Sequence, residues 1–312
     1  MTGYLIDVNG QTMTLPPLLS WDISHGLGEP CDAFEVSFLY SKEMLKSLWG
    51  AVRFKAEHDG KTVFCGVVDE YEISADGSGL VADVRGRSLA ALLLDNECES
   101  TEYANVGLDF ILRRHVYPWG VKNVRTKAMS TAGSFTVASG QSQWSVLREF
   151  CWFAGNVMPR FSADGVLLLD GEKGNTIILK ADTPVTAALL RDDRYGVISQ
   201  ALVKSRAKGG GTSTVTNAAY AARGASCRRV ISVPRHSSYD LMRHTAQYQI
   251  SRSQSGKRVC EITLPGLFAA FAGDIAALDY PPFGLYGNYN VYESRCWADK
   301  NSAGTTLTLE EM

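Results

Sequence analysis

Stretches in which apolar and polar residues alternate one for one lie at both ends of this chain, and they constrain its fold more than any other feature. In Phe34-Glu35-Val36-Ser37-Phe38 and Val52-Arg53-Phe54-Lys55-Ala56 every second residue is apolar. On a pleated strand that pattern places one face in a core and the other in water. Asp59-Gly60 and Asp76-Gly77 supply the residues tolerant of positive φ that a hairpin turn requires, and they bracket a long strand predicted from Thr62 to Ile73. A short helix is expected from Ser41 to Trp49, with Ser41 as its cap and Met44, Leu45 and Leu48 on one face. Several short strands and one small helix point to a compact barrel.

From Ser88 the period lengthens. Ser88 is read as the cap of a helix that groups Leu89, Leu92 and Leu93, and a second helix is expected from Val106 to His115. Between Ser142 and Ala154, Trp144, Leu147, Phe150 and Cys151 fall at three- and four-residue spacing on one helical stripe. A hairpin from Met158 to Asp170 turns at Asp164-Gly165. Strands return at Val259–Leu264, Asp274–Leu278, Tyr289–Trp297 and Thr305–Leu309.

These last strands echo the first ones. Gly50 opens a strand that reaches Gly66 and Val67-Val68 after 16 residues; Gly273 leads in 14 residues to Gly287 and then to Val291-Tyr292. A further strand follows Gly79 in one set and Gly304 in the other, so two copies of one barrel type are expected. The fold class is therefore α+β, mainly β: two related small β-barrel domains flanking an α+β middle domain. The boundaries fall at 1–88, 89–190 and 191–312, the last domain carrying a basic loop and helix insertion at 205–255.

Charge is unevenly distributed. The net charge of -2 gives no ground for a nucleic-acid or membrane-surface partner. Yet from Arg191 to Arg258 there are 13 basic residues against Asp192, Asp193 and Asp240, whereas from Glu57 to Asp109 acids far outnumber Lys61, Arg85 and Arg87. Gly209-Gly210-Gly211-Thr212-Ser213-Thr214 and the residues through Gly224 read as a flexible loop, followed by a helix from Ser238. Arg206, Lys208, Arg223, Arg228 and Arg229 are the candidate partner-interface residues. Such cations suit phosphates or an acidic protein surface. Aromatic residues for base stacking are sparse there, and an acidic first domain of a neighbouring subunit is the favoured counterpart.

The same residues exclude much. The apolar runs Leu89–Leu94 and Leu267–Ala272 fall far short of the roughly 20 residues of a membrane helix, and the N-terminus lacks the pattern of a secretory signal. Seven scattered cysteines without a Cys-x-x-Cys pair read as reduced thiols, and no His-Glu-x-x-His or Cys/His cluster suggests a metal. No phosphate loop, dinucleotide fingerprint or nucleophile elbow occurs. Asp69 with Glu70 and Asp192 with Asp193 are adjacent, so on strands they point to opposite faces, unlike the facing carboxylates of a glycosidase. No catalytic, cofactor or metal residue is expected. Gly66, Gly86, Ser88, Gly273 and Gly287 are read as structural turns and caps.

On these residues the chain resembles phage tail baseplate hub proteins of the late-control D type. Val63-Phe64-Cys65-Gly66-Val67-Val68 and Val84-Arg85-Gly86-Arg87-Ser88, followed by a leucine-rich helix, look like their first barrel and its exit. The middle domain resembles theirs from Trp144-Ser145-Val146-Leu147 to Gly165-Val166-Leu167-Leu168-Leu169-Asp170. Gly273-Asp274-Ile275, Gly287-Asn288-Tyr289-Asn290-Val291-Tyr292-Glu293 and Thr305-Thr306-Leu307-Thr308-Leu309-Glu310 resemble their closing barrel. The likeness is one of pattern and order.

The resemblance implies a structural protein without a cofactor: a homotrimer whose three chains present six similar domains. It would adapt a sixfold tail tube to a threefold spike in the virion tail baseplate of a contractile phage or tail-like particle. Its partners would be itself, the tail tube protein, the spike protein, the tape-measure protein and other baseplate proteins, with no membrane and with DNA only as passing cargo. Assembly would take place in the bacterial host cytoplasm. The alternatives are a peptidoglycan hydrolase of a tail tip and a DNA-binding module.

Overall fold

A computed structural model describes residues 1–27, 31–77, 79–131, 134–206, 210–233 and 239–312. The alternating segments become strands. The first half holds β1 (Thr2–Asp7), β2 (Thr12–Thr14), β3 (Leu18–Gly26), β4 (Ala33–Leu39), β5 (Ala51–His58), β6 (Lys61–Asp76) and β7 (Gly79–Ser88), with α1 (Leu45–Gly50) between β4 and β5. Asp59 and Gly60 turn β5 into β6 with φ of 48° and 72°, as a two-residue hairpin demands. Ser41 precedes a 3-10 turn, Lys42–Met44, but its side chain makes no capping bond.

Inside this half, Phe34 stacks on Phe54 with ring centroids 4.1 Å apart, and Phe64 tilts against Phe34 at 5.2 Å. Leu5, Ile23, Val36, Phe38 and Val84 complete the core. Gly66 and Gly86 serve close approach between β6 and β7. A Cβ on Gly66 would lie 2.1 Å from the carbonyl oxygen of Arg87, and one on Gly86 would lie 1.9 Å from that of Val67.

The middle segment contains α2 (Ala91–Leu94), β8 (Thr101–Ala104), α3 (Leu108–His115), β9 (Val124–Thr126), β10 (Ser134–Val137), α4 (Gln143–Gly155), β11 (Arg160–Phe161) and β12 (Leu167–Leu169). Ser142 caps α4, its Oγ accepting from the Ser145 N–H at 3.1 Å. Trp144, Leu147, Phe150 and Cys151 are buried together against Ile111 and Leu112 of α3. His115 ends the apolar face of α3, where its Nδ1 lies 2.8 Å from Gln143 Oε1 and its Nε2 3.1 Å from the Tyr103 hydroxyl. Ser88, expected as a helix cap, is instead the buried last residue of β7. Its Oγ accepts from the Asp32 N–H at 3.2 Å, and α2 starts without a side-chain cap. The strand continues through Ser88 because Gly66 of β6 pairs with it and its own N–H donates to the Asp32 carbonyl at 2.8 Å on the other side.

The chain then forms β13 (Thr176–Leu179) and β14 (Ala187–Asp192). An insertion follows, with β15 (Gln200–Ser205), β16 (Thr212–Thr216), α5 (Ala218–Ala222), β17 (Arg228–Val233) and α6 (Tyr239–Gln254). β18 (Arg258–Pro265), β19 (Ile275–Tyr280), β20 (Leu285–Ala298) and β21 (Ala303–Glu311) complete the chain. Strand β13 lies before the expected boundary at 190/191 and β14 straddles it, and they pair with β19 and β18 of the closing strands.

The two ends share one topology. The spatial order is β3-β4-β7-β6-β5-β1 in the first half and β14-β18-β21-β20-β19-β13 in the second, the same six positions filled in the same chain order. β6 and β20 each slip register against the following strand, between Val68 and Glu70 and between Val291 and Glu293. The last pairing differs, β1 running antiparallel to β5 and β13 parallel to β19. Each half packs on its own core, and among the described residues β2 ends the pairing of the first half and β13 and β14 that of the second, so hydrogen bonding there does not close either half into a ring. The halves are joined directly: β3 pairs antiparallel with β20 from Trp21↔Ala298 to Gly26↔Glu293, making one sheet of 13 strands.

Candidate partner interface

The insertion is a small folded unit. β15 lies between β16 and β17, and α6 covers one face of this sheet with Met242, Ala246 and Ile250 against Ala201, Val203 and Val233. The flexible loop expected up to Gly224 is corrected here. Thr212–Thr216 is a strand, and Ala218–Ala222 is a helix capped by the Asn217 side chain. Threonine and valine suit a pleated surface, and Ser213 is buried while Thr212, Thr214 and Thr216 face out. The preceding glycines had masked that alternation.

The expected interface residues divide. Lys208 lies outside the described residues, as does Gly209. Arg206 is exposed just beyond β15, its N–H donating to the Val233 carbonyl at 3.0 Å. Arg228 and Arg229 are exposed neighbours on β17 and so point to opposite faces. By register, Arg228, Val230, Leu202 and Lys204 share the face away from α6. Arg223 turns toward β14 instead. Its guanidinium lies 2.6 Å from the Asp192 carboxylate and 5.5 Å from the centre of the Tyr220 ring.

Strand β14 went unrecognised in the sequence, and it carries chemistry of its own. Partial burial pushes the Asp192 carboxyl up, but bonds from Arg223 and Arg194 outweigh it and hold the group below the usual carboxylate range. Asp193 is held low by Lys257, whose Nζ lies 2.6 Å away. Leu189 and Leu190 stand exposed beside them. The Leu189-Leu190 pair next to a charge was the available signal, but it lacks the alternation used to find the other strands.

Exposed acidic residues stand on β6. β5 pairs with β6 only as far as Val67, so the edge beyond carries no strand among the described residues. Asp69, Glu70, Tyr71, Glu72, Ser74 and Ala75 are exposed there. Asp69 pairs with Arg87 at 2.7 Å, and Glu70 lies 3.9 Å from Arg85.

Where the three parts of the chain meet there is a cavity of about 680 Å³ lined in part by Asp32, Arg148, Arg160 and Asp274. Asp32 and Asp274 are engaged by backbone, and Asp164 by the Ser162 hydroxyl. Asp274 accepts from the N–H groups of Asn175 and Phe271 at 2.8 and 2.9 Å; burial pushes its carboxyl up, those bonds opposing. Asp32 accepts from the Gly26 N–H at 3.0 Å and lies 3.4 Å from His25 Nδ1. Arg160 donates to the carbonyl of Ala272 at 3.2 Å, and burial lowers its pKa. Gly273, with φ of 92°, leaves room for that guanidinium, since a Cβ would stand 2.7 Å from it; Gly287, with φ of 107°, lies in open space. These arrangements tie segments together. Among the described residues no helix is long and apolar enough to cross a membrane.

No protein-family model matches the chain, and no curated protein does. Solved structures do. The 43 kDa tail protein of prophage MuSo2 from Shewanella oneidensis is similar over 99% of this chain and 97% of its own, with a TM-score of 0.78 and 18% identity. A tail protein from Neisseria meningitidis MC58 is similar over 99% of this chain and 96% of its own, with a TM-score of 0.75 and 16% identity. A type VI secretion system component of E. coli, itself structurally similar to the T4 bacteriophage tail proteins gp27 and gp5, covers 95% of this chain with 73% of its own. Its TM-score is 0.54 and its identity 12%. The chain thus has the fold of phage tail proteins and of tail-like secretion components, the class to which the resemblance to baseplate hubs pointed.

Proposed function

We propose that this chain is a structural baseplate hub of a contractile phage tail or tail-like particle, working as a trimeric symmetry adaptor between a sixfold tail tube and a threefold spike. One observation carries the reading: two modules at opposite ends of a single polypeptide have the same strand order. Three copies of such a chain present six like modules, which match a sixfold neighbour on one side while the whole keeps threefold symmetry. The similarity to tail proteins along nearly the full length supports a tail role.

On this reading the division is into two strand modules, an α+β middle and the basic insertion. The partners are the chain itself, the tube, spike and tape-measure proteins and other baseplate proteins. Its place is the virion tail baseplate, after assembly in the host cytoplasm. DNA is passing cargo. No enzymatic step is assigned to it, because Asp32 and Asp274, two carboxylates lining the cavity between the three parts of the chain, are held by backbone N–H groups. Light scattering of the purified protein, with electron microscopy of assembled tails, tests the proposal. A trimer found in the baseplate is expected; a strict monomer absent from the baseplate overturns it.

A further inference from the structure

The repeated topology assigns a specific joint between copies. Within one chain the halves are joined by β3 pairing with β20. In the other module, the strand in the position of β3 is β14, and the strand in the position of β20 is β6. Among the described residues both are without a strand partner where the joint would form. β14 pairs only with β18, and β6 has lost β5 beyond Val67. We propose that β14 of one copy pairs antiparallel with the distal half of β6 of a second copy, repeating the internal joint between chains. The inference rests on the ring reading above and names the surface that would close it.

Register follows from the two slips. Glu70 faces Arg85 after the break in β6, and Glu293 faces Thr308 after the break in β20, so Glu70 takes the place of Glu293. Through β4 and β18, Trp21 takes the place of Ala188: Trp21 pairs with Val36, which pairs with Val84, and Ala188 pairs with Ile262, which pairs with Leu307. Carrying over the internal pairs Ala298↔Trp21, Cys296↔Ile23 and Arg295↔Ser24 sets Ala75 opposite Ala188, Ile73 opposite Leu190, and Glu72 opposite Arg191.

Chemistry agrees with that register. Ile23, covered by β20, is 0% exposed; Leu190 in the same position is 43% exposed, and Leu189 beside it 51%. An exposed leucine pair at a free strand edge is a surface awaiting another strand. Glu72 meets Arg191, and the acids at the end of β14 are already neutralised, Asp192 by Arg223 and Asp193 by Lys257. The contact joins two different surfaces, so it propagates head to tail, and it closes as a ring when the rotation between successive copies is threefold.

Cysteines placed at paired positions test it. One chain carries Ile73→Cys with Leu190→Cys, and another Ser74→Cys with Leu189→Cys, because neighbouring antiparallel pairs alternate between wide and narrow spacing and the narrow one suits a disulfide. Oxidation is expected to give covalent dimers and trimers from at least one double variant, and none from the single variants or the parent chain. Leu190→Asp is expected to weaken association at least about tenfold while leaving the circular-dichroism melt of the monomer unchanged. A trimer that yields no cross-link in either pair and tolerates Leu190→Asp overturns the joint and leaves the ring standing. A chain that stays monomeric and uncross-linked at every concentration overturns both.

Discussion

Single residues show where physics leaves a mark the sequence can display and where it does not. Gly66 and Gly86 were read as turns or caps, but both lie inside strands, where a pair of backbones comes too close for any side chain, and that distance is absent from a sequence. Gly86→Ala is expected to cost about 3 kcal/mol or more, since its Cβ would meet a carbonyl oxygen rather than a movable side chain; urea unfolding midpoints check this. Ser88 was misread because serine before a leucine run is a common cap, whereas the strand here continues through it. Arg223 was expected to meet a partner chain and is committed to Asp192 of its own. Since the Asp192 pKa is lowered on folding, that bond stabilises the protein above the ordinary carboxyl value of 3.8 and stops doing so as pH falls through the depressed value. The drop in melting temperature caused by Arg223→Ala should therefore be present at pH 7 and vanish in acid; a drop independent of pH would mean the ion pair is not its cause.

At the scale of elements, alternation was the reliable guide. β4, β5, β6 and the four closing strands appear where period two placed them, and α4 where the three- and four-residue stripe did. Residues 209–224 of the insertion were read as a loop because their glycines dominated, although Ser213 and Val215 already alternate with threonines; the helix expected from Ser238 is present as α6. A separate core under α6 makes the insertion a local unit of stability. Met242→Ala is expected to remove about 2–4 kcal/mol from that unit. Hydrogen exchange should then accelerate across residues 198–254 while the Phe34, Phe54 and Phe64 core stays protected; uniform acceleration along the whole chain would contradict this.

At the scale of the molecule, the repeat was visible only as a few glycines followed by strands, because two modules can share a strand order while sharing almost no side chains. The strand order makes the duplication plain, and the direct β3–β20 joint was not legible at all, since pairing between residues 267 to 277 apart leaves no local pattern. On the proposed reading, that joint makes a duplicated chain a ring component, because a surface used inside one copy has a counterpart left open for the next. Electron cryo-microscopy of the purified chain tests this most directly. The account predicts a threefold ring of six like lobes, with continuous sheet passing from β14 of each copy into β6 of its neighbour. A particle of another symmetry, or a threefold one with both strand edges facing solvent, would contradict it.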